Sequence, residues 1–179
     1  YRDLVRDTFN EVTIENALKW STLRKTRAFN FTDADILVGE AESHEQTIRG
    51  HTLVWEHGLP AWLLATPLSQ IQQELTHHIQ TTVGRYRGRI KHWDVVNEAV
   101  DPRGRLRGNI FYRAMGRAYI AESFRIAHRA DPTARLAYND FDLVYPGPKQ
   151  DAVVALIREL RSQGVPIHEV GLQMHARPF

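Results

Sequence analysis

The sequence predicts an α/β protein in which short strands alternate with amphipathic helices and pair in parallel. Two observations carry that prediction: five apolar runs end in hydrogen-bonding side chains, and helix-periodic segments fill the gaps between them. Spacing is the third. Glu15, His51, Glu98, Asn139 and His175 follow the five runs at intervals of 36 to 47 residues, about the length of a strand, a helix and two loops.

The chain opens in helical pattern, and its first strand, Phe9-Asn10-Glu11-Val12-Thr13-Ile14, leads to Glu15-Asn16. Thr32 is a candidate cap for a helix through Ala34, Ile36, Leu37 and Val38. Thr47-Ile48-Arg49-Gly50 then runs to His51. Ser69 is read as the cap of a helix carrying Ile71, Leu75, Ile79 and Val83 at spacings near four. The run Ile90 to Val96 ends at Asn97-Glu98-Ala99. Phe111 to Ala130 reads as one helix, with Ala114, Met115, Ala118, Ala121, Phe124 and Ala127 on its apolar face. Asp131-Pro132 stops it, because a residue before proline avoids helical geometry. Arg135-Leu136-Ala137-Tyr138 leads to Asn139-Asp140, and a helix over Asp151 to Leu160 ends near Gly164. Val170-Gly171-Leu172 leads to Gln173 and His175.

Composition fits one domain, or part of one, over residues 1–179, since 42% hydrophobic content can bury a substantial core. No apolar run approaches the roughly 20 residues that cross a bilayer, so no membrane span is expected. With 23 basic and 21 acidic residues the net charge is +2, and the arginines are scattered rather than striped. Nucleic acid is therefore not an expected partner. The densest basic stretch, Arg85-Tyr86-Arg87-Gly88-Arg89 with Lys91, reads as a solvated loop at the bottom of a barrel rather than a phosphate site. The absence of cysteine excludes disulfides and thiolate metal sites without fixing a compartment. Neither a metal nor another cofactor is expected. Nine histidines and Glu74-Leu75-Thr76-His77-His78 suggest a metal site weakly, because Glu74 and His77 share a helix face but no second Glu-x-x-His accompanies them.

Glu98 is the leading catalytic candidate. Side chains at the C-terminal ends of barrel strands converge on one mouth, and a carboxylate just past a buried strand is where a catalytic acid belongs.

The motifs in chain order resemble the glycoside hydrolase family 10 xylanases. The matching stretches are Phe9-Asn10-Glu11-Val12-Thr13-Ile14-Glu15-Asn16-Ala17-Leu18-Lys19-Trp20 and Arg49-Gly50-His51-Thr52-Leu53-Val54-Trp55 with Leu59-Pro60-Ala61-Trp62. They continue as Trp93-Asp94-Val95-Val96-Asn97-Glu98-Ala99, Tyr138-Asn139-Asp140-Phe141 and Gly171-Leu172-Gln173-Met174-His175. The resemblance implies a (β/α)8 TIM barrel, represented here by strands two to six, with strands one, seven and eight outside the sequence. It also implies a secreted enzyme that cleaves internal β-1,4 bonds of xylan or xylo-oligosaccharides with retention of configuration.

By the same resemblance Glu98 is the acid/base. Glu15, Asn16 and Lys19 bind the sugar on the non-reducing side of the cleavage point, and His51 and Trp55 complete that wall. Asn97 bonds the sugar 2-hydroxyl, Gln173 and His175 stand beside the nucleophile, and Asn139 supports the site from behind. Trp20 and Trp62 are open between platform and core, with packing favoured for Trp62. The family nucleophile follows the seventh strand, in a Thr-Glu-Leu-Asp-like segment, whereas this sequence ends at Phe179. The nucleophile is therefore expected outside these residues, supplied by a C-terminal part or a complementing chain, and the chain by itself is expected to be weak or inactive. Glu15, Asp140 and Asp142 are the other carboxylates expected at the same mouth, in positions the family uses for binding or support. Two other readings remain: a non-catalytic xylan-binding remnant, and a retaining glycosidase of the same barrel type acting on a β-glucan.

Overall fold

A computed structural model describes residues 2–175. After a first helix α1 (Arg2–Thr8) the chain forms β1 (Glu11–Ile14), α2 (Trp20–Leu23) and α3 (Thr32–Ser43). It continues through β2 (Thr47–Val54), a 3-10 turn (Glu56–Gly58), α4 (Ala61–Leu64), α5 (Leu68–Arg85) and β3 (His92–Asn97). Helices α6 (Ile110–Met115) and α7 (Ala118–Ala130), strand β4 (Arg135–Phe141), helix α8 (Pro148–Ser162) and strand β5 (Glu169–Gln173) complete it. All four strand pairings are parallel, and the sheet order is β1-β2-β3-β4-β5. Strands that pair in sequence order, with no reversal, curl as an incomplete (β/α)8 barrel rather than forming a doubly wound sheet.

One face of the sheet carries the core. Ile48, Trp93, Val95, Leu136 and Tyr138 are buried, as are Ile71, Leu75, Ile79 and Val83 of α5 and Tyr119, Ile120, Phe124 and Ala127 of α7. Each of the Val, Ile, Leu and Phe side chains contributes about 1.5–3 kcal/mol through burial. Gly50 belongs to this face for a steric reason: a Cβ there would stand 2.4 Å from the Trp93 ring on the next strand. Val170 and Leu172 of β5 and the adjoining Met174 remain 45%, 50% and 68% exposed, so no described helix covers that end of the sheet.

The opposite face is polar. Arg49 pairs in register with His92, which pairs with Arg135, and His51 pairs with Asp94. Two irregularities, between His51 and Val54 and between Asp94 and Val96, break the two-residue alternation. Asp94 and Asn97, an odd number of residues apart, thereby bond to partners on the same inner face.

Several boundaries differ from the sequence expectation. The second strand continues through His51 to Val54, and the fourth takes in Asn139, Asp140 and Phe141. The segment expected as one helix is two, because Gly116 adopts φ 59° and ends α6 after Met115. Neither expected cap is used. Thr32 is the first residue of α3, with its amide bonded to Asn30 Oδ1, and α5 begins at Leu68 after Pro67, one residue before Ser69. Short α2 and α4 lack the length that makes helical periodicity visible.

Candidate active site

Glu98 follows β3 directly and holds φ 56°, a left-handed conformation costing a non-glycine residue about 1–3 kcal/mol. Its amide is held by the Asn139 carbonyl at 2.9 Å. Three side chains converge on the carboxylate. Trp55 Nε1 donates to Oε2 at 3.0 Å, while Asn97 Nδ2 and Gln173 Nε2 donate to Oε1 at 3.2 and 3.0 Å. These donors come from the ends of β2, β3 and β5, so the carboxylate is oriented by three strands at once.

A second layer fixes the donors. Asn97 Oδ1 accepts from Asn139 Nδ2 at 2.9 Å and from Gln173 Nε2 at 3.0 Å, leaving its amide nitrogen to face Glu98. Gln173 Oε1 in turn meets His175 Nε2 at 3.0 Å, which makes that nitrogen the donor. Gly171 lies in register with Asn139, and a Cβ on it would stand 2.2 Å from Asn139 Oδ1. The packing of this layer thus depends on a missing side chain.

Beside it, Lys19 Nζ bonds Asn16 Oδ1 at 2.8 Å, pairs with Glu15 at 3.6 Å, and stands 5.1 Å from the Trp55 ring centre. Glu15 is 67% exposed, whereas Lys19 is largely covered. His51 Nδ1 lies 2.9 Å from Asp94 Oδ2, and its ring is 6.3 Å from that of Trp55. All ten residues selected from the sequence therefore lie in one connected region at the C-terminal ends of the strands, with Trp55 linking the Lys19 group to Glu98.

Trp20 and Trp62 are not available as sugar platforms. Trp20 is 2% exposed and stacked on His78, and Trp62 donates to the Arg24 carbonyl at 2.8 Å with the Arg24 and Arg27 guanidiniums against its ring. Asp140 is fully buried, bonded to Lys149 at 2.7 Å and to the Tyr138 hydroxyl at 2.8 Å. It is thus committed elsewhere. The oxygens of Glu74 are taken by Arg24 and Arg27, both at 3.0 Å, which removes it as a metal ligand. In the basic stretch, Arg85 pairs with Asp35, Arg89 with Glu42, and Lys91 bonds the Gly88 carbonyl.

The sequence reading missed the ion network beneath the site. Asp94, 2% exposed, takes Arg49 and His51 together, and Glu169 receives Arg49, His92 and Arg135. Burial would raise the Glu169 carboxyl, but the Arg135 and His92 bonds hold it below the usual glutamate value. The available signal was charge at alternate positions, His92 and Asp94, within an otherwise apolar strand.

The sequence profile described as "Glycosyl hydrolase family 10" matches residues 1–178. This chain belongs to glycosyl hydrolase family 10. Among its family 10 relatives, endo-1,4-beta-xylanase A of Cellvibrio japonicus is 42% identical over 187 residues, covering 97% of this chain and 30% of that protein. Endo-1,4-beta-xylanase B of Thermotoga neapolitana is 40% identical over 98% of this chain and 51% of its own length. The chain thus spans about half the length of most of the curated relatives it matches. Among solved structures, xylanase 10B of Thermotoga petrophila in complex with xylobiose superposes with a TM-score of 0.95 at 40% identity. The alignment covers 98% of this chain and 54% of that one.

Proposed function

We propose that this chain is the central part of a retaining endo-1,4-β-xylanase catalytic domain acting on internal bonds of xylan, with Glu98 as general acid/base. The observation that carries the reading is the convergence of Trp55, Asn97 and Gln173 on the Glu98 carboxylate. Among the described residues Oε1 accepts two donors and Oε2 one, so Oε2 keeps a lone pair for the proton that passes to the leaving oxygen and is later recovered from water. The second carboxylate of a retaining pair would lie about 5–5.5 Å away. We assign it to sequence beyond residue 179, where the family resemblance expects it; within the described residues Asp140 is engaged with Lys149, and Glu15 pairs with Lys19.

In this reading Glu15, Asn16 and Lys19 bind the sugar hydroxyls on the glycone side. His51, with Nδ1 turned to Asp94, offers Nε2 to the same sugar, and Trp55 supplies the flat face that ring C–H groups prefer. Asn97 addresses the 2-hydroxyl, where a contact that tightens toward the transition state is most useful. His175 orients the incoming carboxylate, and Asn139 holds Asn97. Polymeric xylan is too large to enter a cell, so in this reading the enzyme would meet it outside.

Calorimetric titration with xylotriose and cellotriose tests the assignment. Glu98→Gln should keep xylotriose binding, Lys19→Met should weaken it, and cellotriose should bind less tightly than xylotriose. Equal binding of the two sugars would move the substrate to β-glucan, and no effect of Lys19→Met would remove the glycone group.

A further inference from the structure

His78 lies in the middle of a stack of four rings. Its face meets Trp20 with centroids 3.9 Å apart and planes 5° from parallel, Phe29 stacks on it at 6.1 Å, and Phe111 packs on Trp20 at 5.7 Å. His78 is fully buried. Neither of its nitrogens has a hydrogen-bond partner among the described residues, and neither does Trp20 Nε1. A buried polar ring with two unpaired nitrogens is costly, so its place here rests on shape and stacking rather than on hydrogen bonding.

Burial and the basic neighbours of His78 disfavour a positive charge on it. Arg24, the residue after α2, lies over Phe29 and Trp62, Arg27 follows in the same loop, and α5 contributes His77 and Glu74. Glu74 is already occupied by the two arginines. Burial first, then the Arg24 charge and His77, hold the His78 ring well below the ordinary histidine value. Trp20 opens α2, and the residue before it is Lys19, whose ammonium meets Asn16, Glu15 and the Trp55 ring. A contiguous path therefore runs from His78 through Trp20, Lys19 and Trp55 to Glu98.

We propose that His78 is a positioning residue for the glycone-binding group: its uncharged ring fixes Trp20 and hence Lys19, and protonation of the ring in acid releases both. The part concerning sugar rests on the reading of Lys19 as a sugar ligand.

The test is an NMR titration from pH 7 to pH 4 that follows the His78 ring protons, the Trp20 and Trp93 indole N–H signals and the Lys19 amide, paired with xylotriose calorimetry. Trp20 and Lys19 should shift with the same one-proton midpoint as His78 while Trp93 stays in place. Xylotriose affinity should fall by up to about tenfold per pH unit below that midpoint, the limit for one coupled proton. His78→Phe, which keeps a flat ring without a titrating group, should abolish the Trp20 transition and reduce the acid loss of affinity to the part that the sugar-facing Glu15 and His51 contribute.

Persistence of the Trp20 transition in His78→Phe, absence of any Trp20 transition down to pH 4, or movement of Trp93 together with Trp20 would overturn the proposal. The wild-type midpoints decide the matter even if His78→Phe fails to fold: a Trp20 midpoint different from that of His78 also overturns it. If xylotriose binds neither protein at pH 7, the sugar-binding reading of Lys19 fails, while the NMR arm still decides whether His78 holds Trp20.

Discussion

The Trp55 indole nitrogen donates to Glu98 Oε2 at 3.0 Å, so the residue that follows β2 orients the residue that follows β3. The same ring lies 5.1 Å from Lys19 Nζ, which places it between the sugar-binding group and the acid. Trp55→Phe keeps an aromatic face and removes the donor. We expect the folded protein to lose about 0.5–1.5 kcal/mol in a urea unfolding curve, the equivalent of one internal hydrogen bond, while xylotriose binding is kept.

Gly171→Ala is expected to damage the site through the layer behind Glu98. The new methyl group would meet Asn139 Oδ1 at 2.2 Å and Arg49 at 3.0 Å, so Asn139 must leave its bond to Asn97. Loss of that buried contact should cost about 1–3 kcal/mol in a urea unfolding curve. The Asn97 and Gln173 side-chain amide signals should shift with it.

Asp94→Ala should be the most destabilising of these changes. Asp94 holds both Arg49 and His51 while only 2% exposed, and its removal leaves the Arg49 charge without its nearest partner. The expected loss is about 3–5 kcal/mol by chemical denaturation. Replacing Arg49 by Met at the same time should recover part of it, since an apolar pair avoids the stranded charge.

Asp131 gives a pH dependence with a defined sign. Burial alone would raise its carboxyl, but the Gly88 amide and the Thr133 hydroxyl and amide hold it below the ordinary value of 3.8. A depressed folded value means that its stabilisation is complete above the unfolded value and is lost as pH falls through the folded one. Asp131→Asn should therefore cost about 1 kcal/mol at pH 7 and progressively less below pH 4. Thermal unfolding of both proteins across that range measures the difference.

The order of strands and helices was legible because burial on one face imposes periodicity, and Ile71, Leu75, Ile79 and Val83 are all fully buried as that periodicity requires. Motif resemblance placed the selected residues, Glu98 and Asn97 among them, in one connected region. Three features were not legible. The break at Gly116 preserves apolar spacing on both sides, so Phe111 to Ala130 looks continuous. The irregularities in β2 and β3 turn Asp94 and Asn97 to one face, and no two-residue pattern announces that. The Trp20–His78 stack joins residues far apart in the chain through ring shape alone.

The account turns on the claim that residues 1–179 bind xylan and hold its acid/base but need a carboxylate from elsewhere to cut it. The direct measurement is reducing-sugar release from xylan by the purified chain, run beside xylotriose calorimetry on the same sample. The account predicts binding with no release above background. Release that disappears in Glu98→Gln would contradict it, because a second carboxylate within these residues would then be completing the reaction.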